Sequence, residues 1–593
     1  MQLKIPLNLA VSPESWYDCK KKRGETMRKI IIALVVTLAV LLILLTALLV
    51  WERKPTATAP PETIPTTAPT EAPTLPATEP AVTEPVAEET EPPTEPPFSP
   101  APVADTDPAN WEFEWKLVVN DEEVDSFTRE DPITFGDEYF SLPGVAGFRG
   151  GNYRTNASYG TVTLEEGTIN QLWKTSVGFI DTADWIGCGW TGQPMVVQWD
   201  EETKAIMNLY EDKKAKEGLV EAIYPKLDGY IHFIDMEDGS YTRDPIYIGR
   251  VFKGSGALDP RGYPIVYVGA GLPQGGTQQS IFAVSLIDGS ILYQLDGDTK
   301  HAFRYWYGFD GGPLVDAETD TLIWAGENAI IYSIKLNTQY DKAAGTLTMN
   351  PDEPVMAVYR NKYGRSNRFS GCEASVTAAD QYLYLGDNSG LMMCVNANTM
   401  ELVWTQELFD DINATPIFEW EEKNKGYLYA APSVDYNGGD ISIYKLDALT
   451  GEVVWSYDTK CSPDSQYPGG VMGSPILGEA GTNLDGMVIF SVGRTPSYRS
   501  GEVIAFDKYT GEILWKYETN SHIWSSPIAL YTEDGKGYIF QVDMSGTCYL
   551  LDGENGQVVN TLKLGRTTEA SPVAFDNRIL IGTRAAMYLL EVK

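Results

Sequence analysis

Two stretches sixty residues apart are near copies: residues 445–455 read KLDALTGEVVW and residues 505–515 read AFDKYTGEILW. An apolar strand, a Thr-Gly turn and a strand ending in Trp recur, which limits the fold to architectures built from copies of one small unit. The same frame appears at 394–404 (CVNANTMELVW) and, more weakly, at 550–560 (LLDGENGQVVN), with diverged relatives at 233–240 and 284–293. A second marker precedes each copy: a small residue, usually proline, then an apolar run, at Pro194, Pro313, Pro416, Pro475, Pro527 and Pro572. Positions near Ala257 and Ser375 fill the remaining intervals without the proline, which makes eight units of about 41 to 63 residues.

Short runs rich in Val, Ile, Tyr and Trp, broken by Gly, Asn, Asp and Pro, read as strands, and the one helical period is the patch EETKAIMNLYEDKKAKEG at 201–218. Four short strands per unit, eight times over, predict an all-β, eight-bladed β-propeller over residues 169–593. The last unit has room for only three strands, while an isolated strand at 169–177 stands before the first. Joining the two closes the ring from both chain ends and hides the edges an open sheet leaves exposed. Each blade is then covered on both faces. In AFDKYTGEILW the small Ala505 leaves room for a neighbour, Asp507 caps its own turn, Gly511 supplies positive φ, and Trp515 anchors one blade on another. Trp173, Trp404 and Trp455 are expected to pack in the same way.

Residues 30–51 form an uncharged apolar run of 22 residues, long enough to span a hydrocarbon core of roughly 30 Å as a helix. Six positive residues precede it within 20–29 and two follow, Arg53 and Lys54, so the positive-inside rule keeps 1–29 as a cytoplasmic tail and places the rest outside. A cleaved signal peptide is the alternative, but its apolar core usually runs only about 7–15 residues and ends in a small-residue site. Residues 52–108 read as a disordered Pro/Thr/Glu stalk: 55–108 hold 16 of the 37 prolines, ten acidic residues and no basic one, too little apolar surface for a core. Residues 109–168 read as a strand-rich collar. The formal net charge of −37 excludes a general nucleic-acid binder, which needs a basic surface.

The pattern Ala-x-Asp-x-x-Thr-Gly-x-x-x-Trp resembles the blade motif of the pyrroloquinoline quinone (PQQ)-type propellers. It is complete at 505–515, with Asp447, Thr450, Gly451 and Trp455 matching in the copy before, and Thr399 and Trp404 in the one before that. That family includes quinone-dependent alcohol and sugar dehydrogenases, and also cofactor-free relatives such as the propeller lipoprotein that scaffolds outer-membrane protein assembly. The resemblance implies fold more than activity. In the dehydrogenase branch it would imply PQQ beside a disulfide of adjacent cysteines, with calcium on Glu, Asn and Asp. Here Cys19, Cys188, Cys372, Cys394, Cys461 and Cys548 include no adjacent pair, and no run is assignable to the calcium ligands. No cofactor is therefore expected, and the chain resembles the non-enzymatic branch more. Five of those cysteines follow the apolar run, so at least one stays unpaired if the others bridge. Catalytic motifs of the G-x-S-x-G, H-E-x-x-H and phosphate-loop kinds do not occur, and the only histidines are His232, His301 and His522, so no catalytic or metal residue is assigned.

Propellers bind where the loops leading into each blade and those between second and third strands converge on the channel. Of the 15 arginines after the stalk, these loops hold Arg304, Arg360, Arg365, Arg368, Arg494, Arg499, Arg566 and Arg584. With Trp185, Trp190, Trp306, His522 and Trp524 they suit an anionic or sugar-like ligand through bidentate hydrogen bonds and ring stacking; loop-to-loop salt bridges are the alternative use of the same residues. The expected function is a membrane-anchored, extracytoplasmic binding or scaffold module without catalysis of its own, its partner an anionic or carbohydrate wall polymer or a protein. The alternative is an extracytoplasmic enzyme of quinoprotein or carbohydrate-active type.

Overall fold

The computed structural model describes residues 97–176, 187–188, 192–273, 278–361, 369–435, 438–463 and 468–593. The apolar run at 30–51 and the stalk up to residue 96 lie outside them. Among the described residues no helix is long and apolar enough to cross a membrane.

Eight blade sheets follow one another along the chain, antiparallel but for Ser158–Tyr159 beside Val573–Phe575, and a small two-stranded sheet, Gln339–Asp341 with Thr346–Thr348, lies apart from them. Blade 1 runs from Met195–Gln198 to Ile246–Tyr247, blade 2 from Ala257–Leu258 to Ile291–Asp296, blade 3 from Leu314–Asp316 to Val355–Asn361 and blade 4 from Thr377–Ala379 to Leu402–Glu407. Blade 5 runs from Ile417–Glu422 to Val453–Lys460, blade 6 from Ile476–Leu477 to Ile513–Thr519 and blade 7 from Ile528–Tyr531 to Val558–Lys563. Blade 8 takes its three inner strands from the C-terminus, Val573–Phe575, Arg578–Gly582 and Ala586–Val592. Its outer strand, Ile169–Ser176, comes from the N-terminal side and pairs antiparallel with Ala586–Val592. The ring closes as the repeat count predicts. The helical patch forms two short helices, Glu201–Ile206 and Glu211–Lys214, between the first two strands of blade 1.

The repeated motif has a two-blade logic. Trp515 of blade 6 sits across from Ala505 and donates its indole N–H to the Gly553 carbonyl of blade 7 at 2.9 Å. Gly556, at φ +70°, lies under the same ring, where a Cβ would come within 2.5 Å of Trp515 Cε3. Trp404 stands in this relation to Ala448 O and Gly451, Trp455 to Lys508 O and Gly511, and Trp173 to Met236 O and Gly239. The Thr-Gly turn therefore needs glycine twice, for the left-handed backbone and for the indole of the preceding blade. Asp507 caps the turn as expected, accepting from the backbone N–H groups of Tyr509 and Thr510.

Residues 97–168 depart from the stalk-and-collar reading. Phe98 is buried edge-on against Trp420 and Tyr382, and Thr106 Oγ1 donates to Thr450 O, so the end of the proline-rich segment lies along blades 4 and 5. Phe113–Val119 and Glu122–Val124 extend blade 3 outward. Residues 133–162 enter the central channel and meet the innermost strand, or its approach, in all eight blades. Gly144–Val145 pair with blade 1, Ala146 O accepts from Leu258 in blade 2, and Asn152 O from Ala378 in blade 4. Tyr153 O, Thr155 O and Ala157 O accept from Phe418, Leu477 and Ala574 in blades 5, 6 and 8. Arg154 reaches Pro313 O in blade 3, and Asn156 reaches Ala529 O in blade 7. The collar is thus a plug, and its backbone satisfies groups that eight inner edges would otherwise leave bare.

Two arginines without a carboxylate partner fix the plug. Arg149 and Arg154 are wholly buried. Arg149 donates to the carbonyls of Pro475, Pro527 and Thr155, and Arg154 to those of Val376, Phe148 and Pro313. Burial pulls Arg149 down to about 9 and Arg154 to about 10.

Among the described residues the cysteines form no bridges: Cys188, Cys372, Cys394, Cys461 and Cys548 are free and buried, used as small apolar residues in separate parts of the core.

Candidate functional site at the channel mouth

The small residue before each blade's first strand does more than leave room. Its backbone N–H donates to the side chain of its counterpart in the next blade: Gly312 to Ser375, Ser375 to Thr415, Thr415 to Ser474, Ser474 to Ser526 and Ser526 to Ser571, at 2.7–3.0 Å. Gln193 donates likewise to Ser255, and Ser571 returns to Gly192 O. This hydroxyl ring circles the channel just above Phe148 of the plug. The cavity it bounds, lined also by Asp310, Glu373, Asn413 and Met472, measures about 20 Å³.

The expected ligand residues divide into two groups. Arg304 lies partly buried, donating to Ser370 O at 3.4 Å with its guanidinium 3.9 Å from Glu327, and Trp306 beside it is partly exposed. On blades 6 and 7, Trp524 is buried with Met472 and Met544, donates to Pro468 O, and meets His522 edge-on at 6.3 Å. Arg494 is buried at φ +59° and donates to Tyr498 O, whereas Arg499, over the Tyr498 ring, and Arg566 are exposed. Trp185, Trp190, Arg365 and Arg368 lie outside the described residues. Two further arginines of the same loops are engaged within the protein, Arg584 by Glu569 and Arg360 by Glu114 at the outer edge of blade 3.

What the sequence reading missed is a wall of carboxyl groups on blades 2 to 5. Asp310 leads into blade 3, Glu373 into blade 4, and Asp410 and Asp411 into blade 5; Glu327, Asp387 and Asp435 follow the second strands of blades 3, 4 and 5. Lys253 binds Asp310. Burial, then the carboxylates of Glu373 and Asp310, pushes Glu327 well above the usual range, and burial raises Asp310 against the pull of Lys253. Burial also opposes charge on Glu373, yet Lys253, a hydrogen bond with Glu327, and Arg304 hold it below the usual range. Asp387 is pushed up to about 6 by burial, although Ser389 and Leu391 donate to it. A signal was present: Gly326-Glu327-Asn328 and Gly386-Asp387-Asn388 are the same loop in successive repeats.

An eight-bladed ring with a stoppered channel and a largely acidic mouth places the chain among the β-propellers. The family model described as outer membrane protein assembly factor BamB matches residues 314–479 and 499–588, blades 3 to 8, and the chain carries PQQ-like repeats there. In sequence it is 29% identical over 149 residues to the dehydrogenase subunit of the quinone alcohol dehydrogenase of Komagataeibacter europaeus, covering 25% of this chain and 20% of that one. It is 23% identical over 226 residues to the BamB of Kangiella koreensis, covering 36% and 48%. The chain thus spans from a fifth to about half the length of these relatives. In structure it is similar to the quinohemoprotein alcohol dehydrogenase ADHIIG of Pseudomonas putida HK5, with TM-score 0.51 and 13% identity over 76% of this chain and 80% of that one, a likeness of fold.

The dehydrogenase relatives raise the question of a quinone. At the level of the hydroxyl ring, 20 Å³ holds about one water molecule and not a tricyclic quinone. Among the described residues no group of three His, Cys, Asp or Glu side chains is disposed to hold a metal ion. The described part of the channel does not fit PQQ with calcium.

Proposed function

We propose that the chain is a membrane-anchored, extracytoplasmic propeller that binds or scaffolds a partner through its channel mouth and performs no catalysis of its own. The observation that carries the reading is the plug: Phe148, Arg149 and Arg154 fill the axis where a cofactor-bearing propeller needs open space. The apolar run at 30–51 and its flanking charges support the anchor and its orientation. Exposed Arg499 and Arg566 offer contacts to anionic groups of a wall polymer or protein at the rim.

The test uses the full-length chain in detergent. Supplied with PQQ and Ca²⁺, it should reduce no dye with alcohol or sugar substrates, and quinone-dependent turnover would sink the reading. Binding to cell-wall fragments or a captured partner should weaken with salt and with Arg499→Ser/Arg566→Ser, because rim charges are screened over roughly 8 Å at physiological ionic strength. Binding indifferent to both changes would remove the arginines from the site.

A further inference from the structure

The acidic side of the mouth is not a solvated face. Glu327 is 1% exposed, and its carboxyl oxygens receive no hydrogen bond from an N–H or hydroxyl donor; their polar partners are the carboxyl groups of Glu373 and Asp310. Asn388, 3% exposed, donates its amide to Glu373 at 3.3 Å and leaves its carbonyl oxygen without a donor; Asp387 Oδ2 and Asp411 Oδ1 are in the same position. The cavity above Phe148 is lined by Asp310, whose Oδ1 is likewise without a donor; buried acceptors are nearly always paired, so orphans there and on the wall beside it indicate a donor-rich group that belongs at this place. Among the described residues only Lys253 and Arg304 bring positive charge to these carboxyl groups. Lys253 is taken by Asp310, and Arg304 stops 3.9 Å short of Glu327.

We propose that this pit is a binding site for a primary alkylammonium group, which enters along the channel axis and lodges against Glu373 and Asp310 above Phe148. The inference rests on the binding reading above and names the chemistry that the site takes. Size selects the head group: the 20 Å³ cavity admits something as large as one water, which an ammonium is and a planar guanidinium is not. Chemistry agrees, because an ammonium offers three donors and no acceptor to a lining of carboxylates and of hydroxyls from Ser375, Thr415 and Ser474. Met472 and Phe148 supply apolar surface for the methylenes behind the head. Glu327, faced by Asp310, Glu373, Lys253 and Arg304, gives up a proton when a fixed positive charge arrives, so binding is coupled to proton release.

The probes are cadaverine, for a free amine, and an Nα-acetylated lysine amide, for a lysine carried on a peptide; whichever binds more tightly identifies the source. Calorimetry on the full-length chain at pH 6 and pH 8, in two buffers of different ionisation enthalpy, should show one site, tighter at the higher pH, with release of a proton. Glu373→Gln should weaken binding at least tenfold. Arg304→Gln, which removes a competing positive charge and leaves the carboxylates intact, should strengthen it severalfold, an outcome that misfolding cannot mimic. Binding unaffected by either substitution, absence of binding by folded protein, or equal competition by K⁺ or Ca²⁺ overturns the proposal. Wall fragments that bind while both amines fail would sink this inference and leave the binding reading standing; quinone-dependent turnover would do the reverse.

Discussion

Trp515 and Gly556 show what a single pair does in this fold. Trp515 is 7% exposed, and its loss should cost on the order of 3–5 kcal/mol, read as a shift in urea midpoint without a change in slope. Gly556→Ala incurs two penalties, about 1–2 kcal/mol for a Cβ at positive φ and a further term for collision with the indole. In a Trp515→Ala background only the backbone penalty should remain, so the double-mutant cycle must show coupling; additivity would mean that the ring does not rest on the glycine. The sequence made half of this pair legible. A Gly after Asn in a tight turn announces positive φ, and a repeated Trp announces packing. Nothing local says that the two come from different blades, because that contact exists only once the ring has formed.

Larger elements were legible in proportion to their regularity. Strands buried on both faces give apolar runs, and these placed every blade. The plug has no such rhythm: residues 133–162 pass eight different environments in succession, so neither the two-residue nor the 3.6-residue period survives. Arg149 and Arg154, in FRGGNYRTN, read as ordinary loop arginines although both sit at positive φ in the core. Replacing Arg149 with Met keeps the bulk and removes the donors to Pro475, Pro527 and Thr155. The expected loss is about 3 kcal/mol, with faster amide exchange at Leu477 and Ala529, whose pairing depends on the plug. Stability unchanged within about 0.5 kcal/mol would show that the plug holds without it. The acidic mouth was illegible for a related reason. Its seven carboxyl groups lie on six loops of separate repeats, and only ring closure gathers them.

At the scale of the molecule, pH acts through two opposed sets of carboxyl groups. Asp387, raised to about 6, and Glu327, Asp310 and Asp411, raised above their usual range chiefly by burial, are ionised in the unfolded chain before they are in the fold. The stability linked to their protonated forms is complete below about pH 4 and is lost as pH rises, through about 6 for Asp387. Asp228, held low by His232 and Lys226 against the cost of burial, and Asp200, held low by Thr203 and Lys342 against the same cost, have the opposite sign, and their contribution disappears as pH falls below about 4. A net charge of −37 adds self-repulsion that eases as pH drops. Tm should therefore rise from pH 8 to about 5 and fall below about 4. A flat profile between 8 and 5 would mean that the mouth carboxyl groups are already ionised and compensated.

Closure is the other whole-molecule property, and deletion of residues 571–593 tests it. Without them Ile169–Ser176 has no partner strand, and the apolar faces of blades 1 and 7 that pack on blade 8 meet water. The hydroxyl ring loses Ser571, and the plug loses the strand that pairs with Ser158–Tyr159. A linear stack would shed only its terminal unit and leave the rest cooperative, since each repeat leans on its neighbours alone. A ring fastened by a common plug has no terminal unit. The truncated chain should therefore aggregate through its bared edges or unfold over a broad range rather than melt a few degrees lower. Co-expression of 571–593 as a separate fragment should restore a single sharp transition; a truncated chain that melts sharply and stays monomeric would show that seven blades and the plug suffice, and that the shared blade is not what closes the fold.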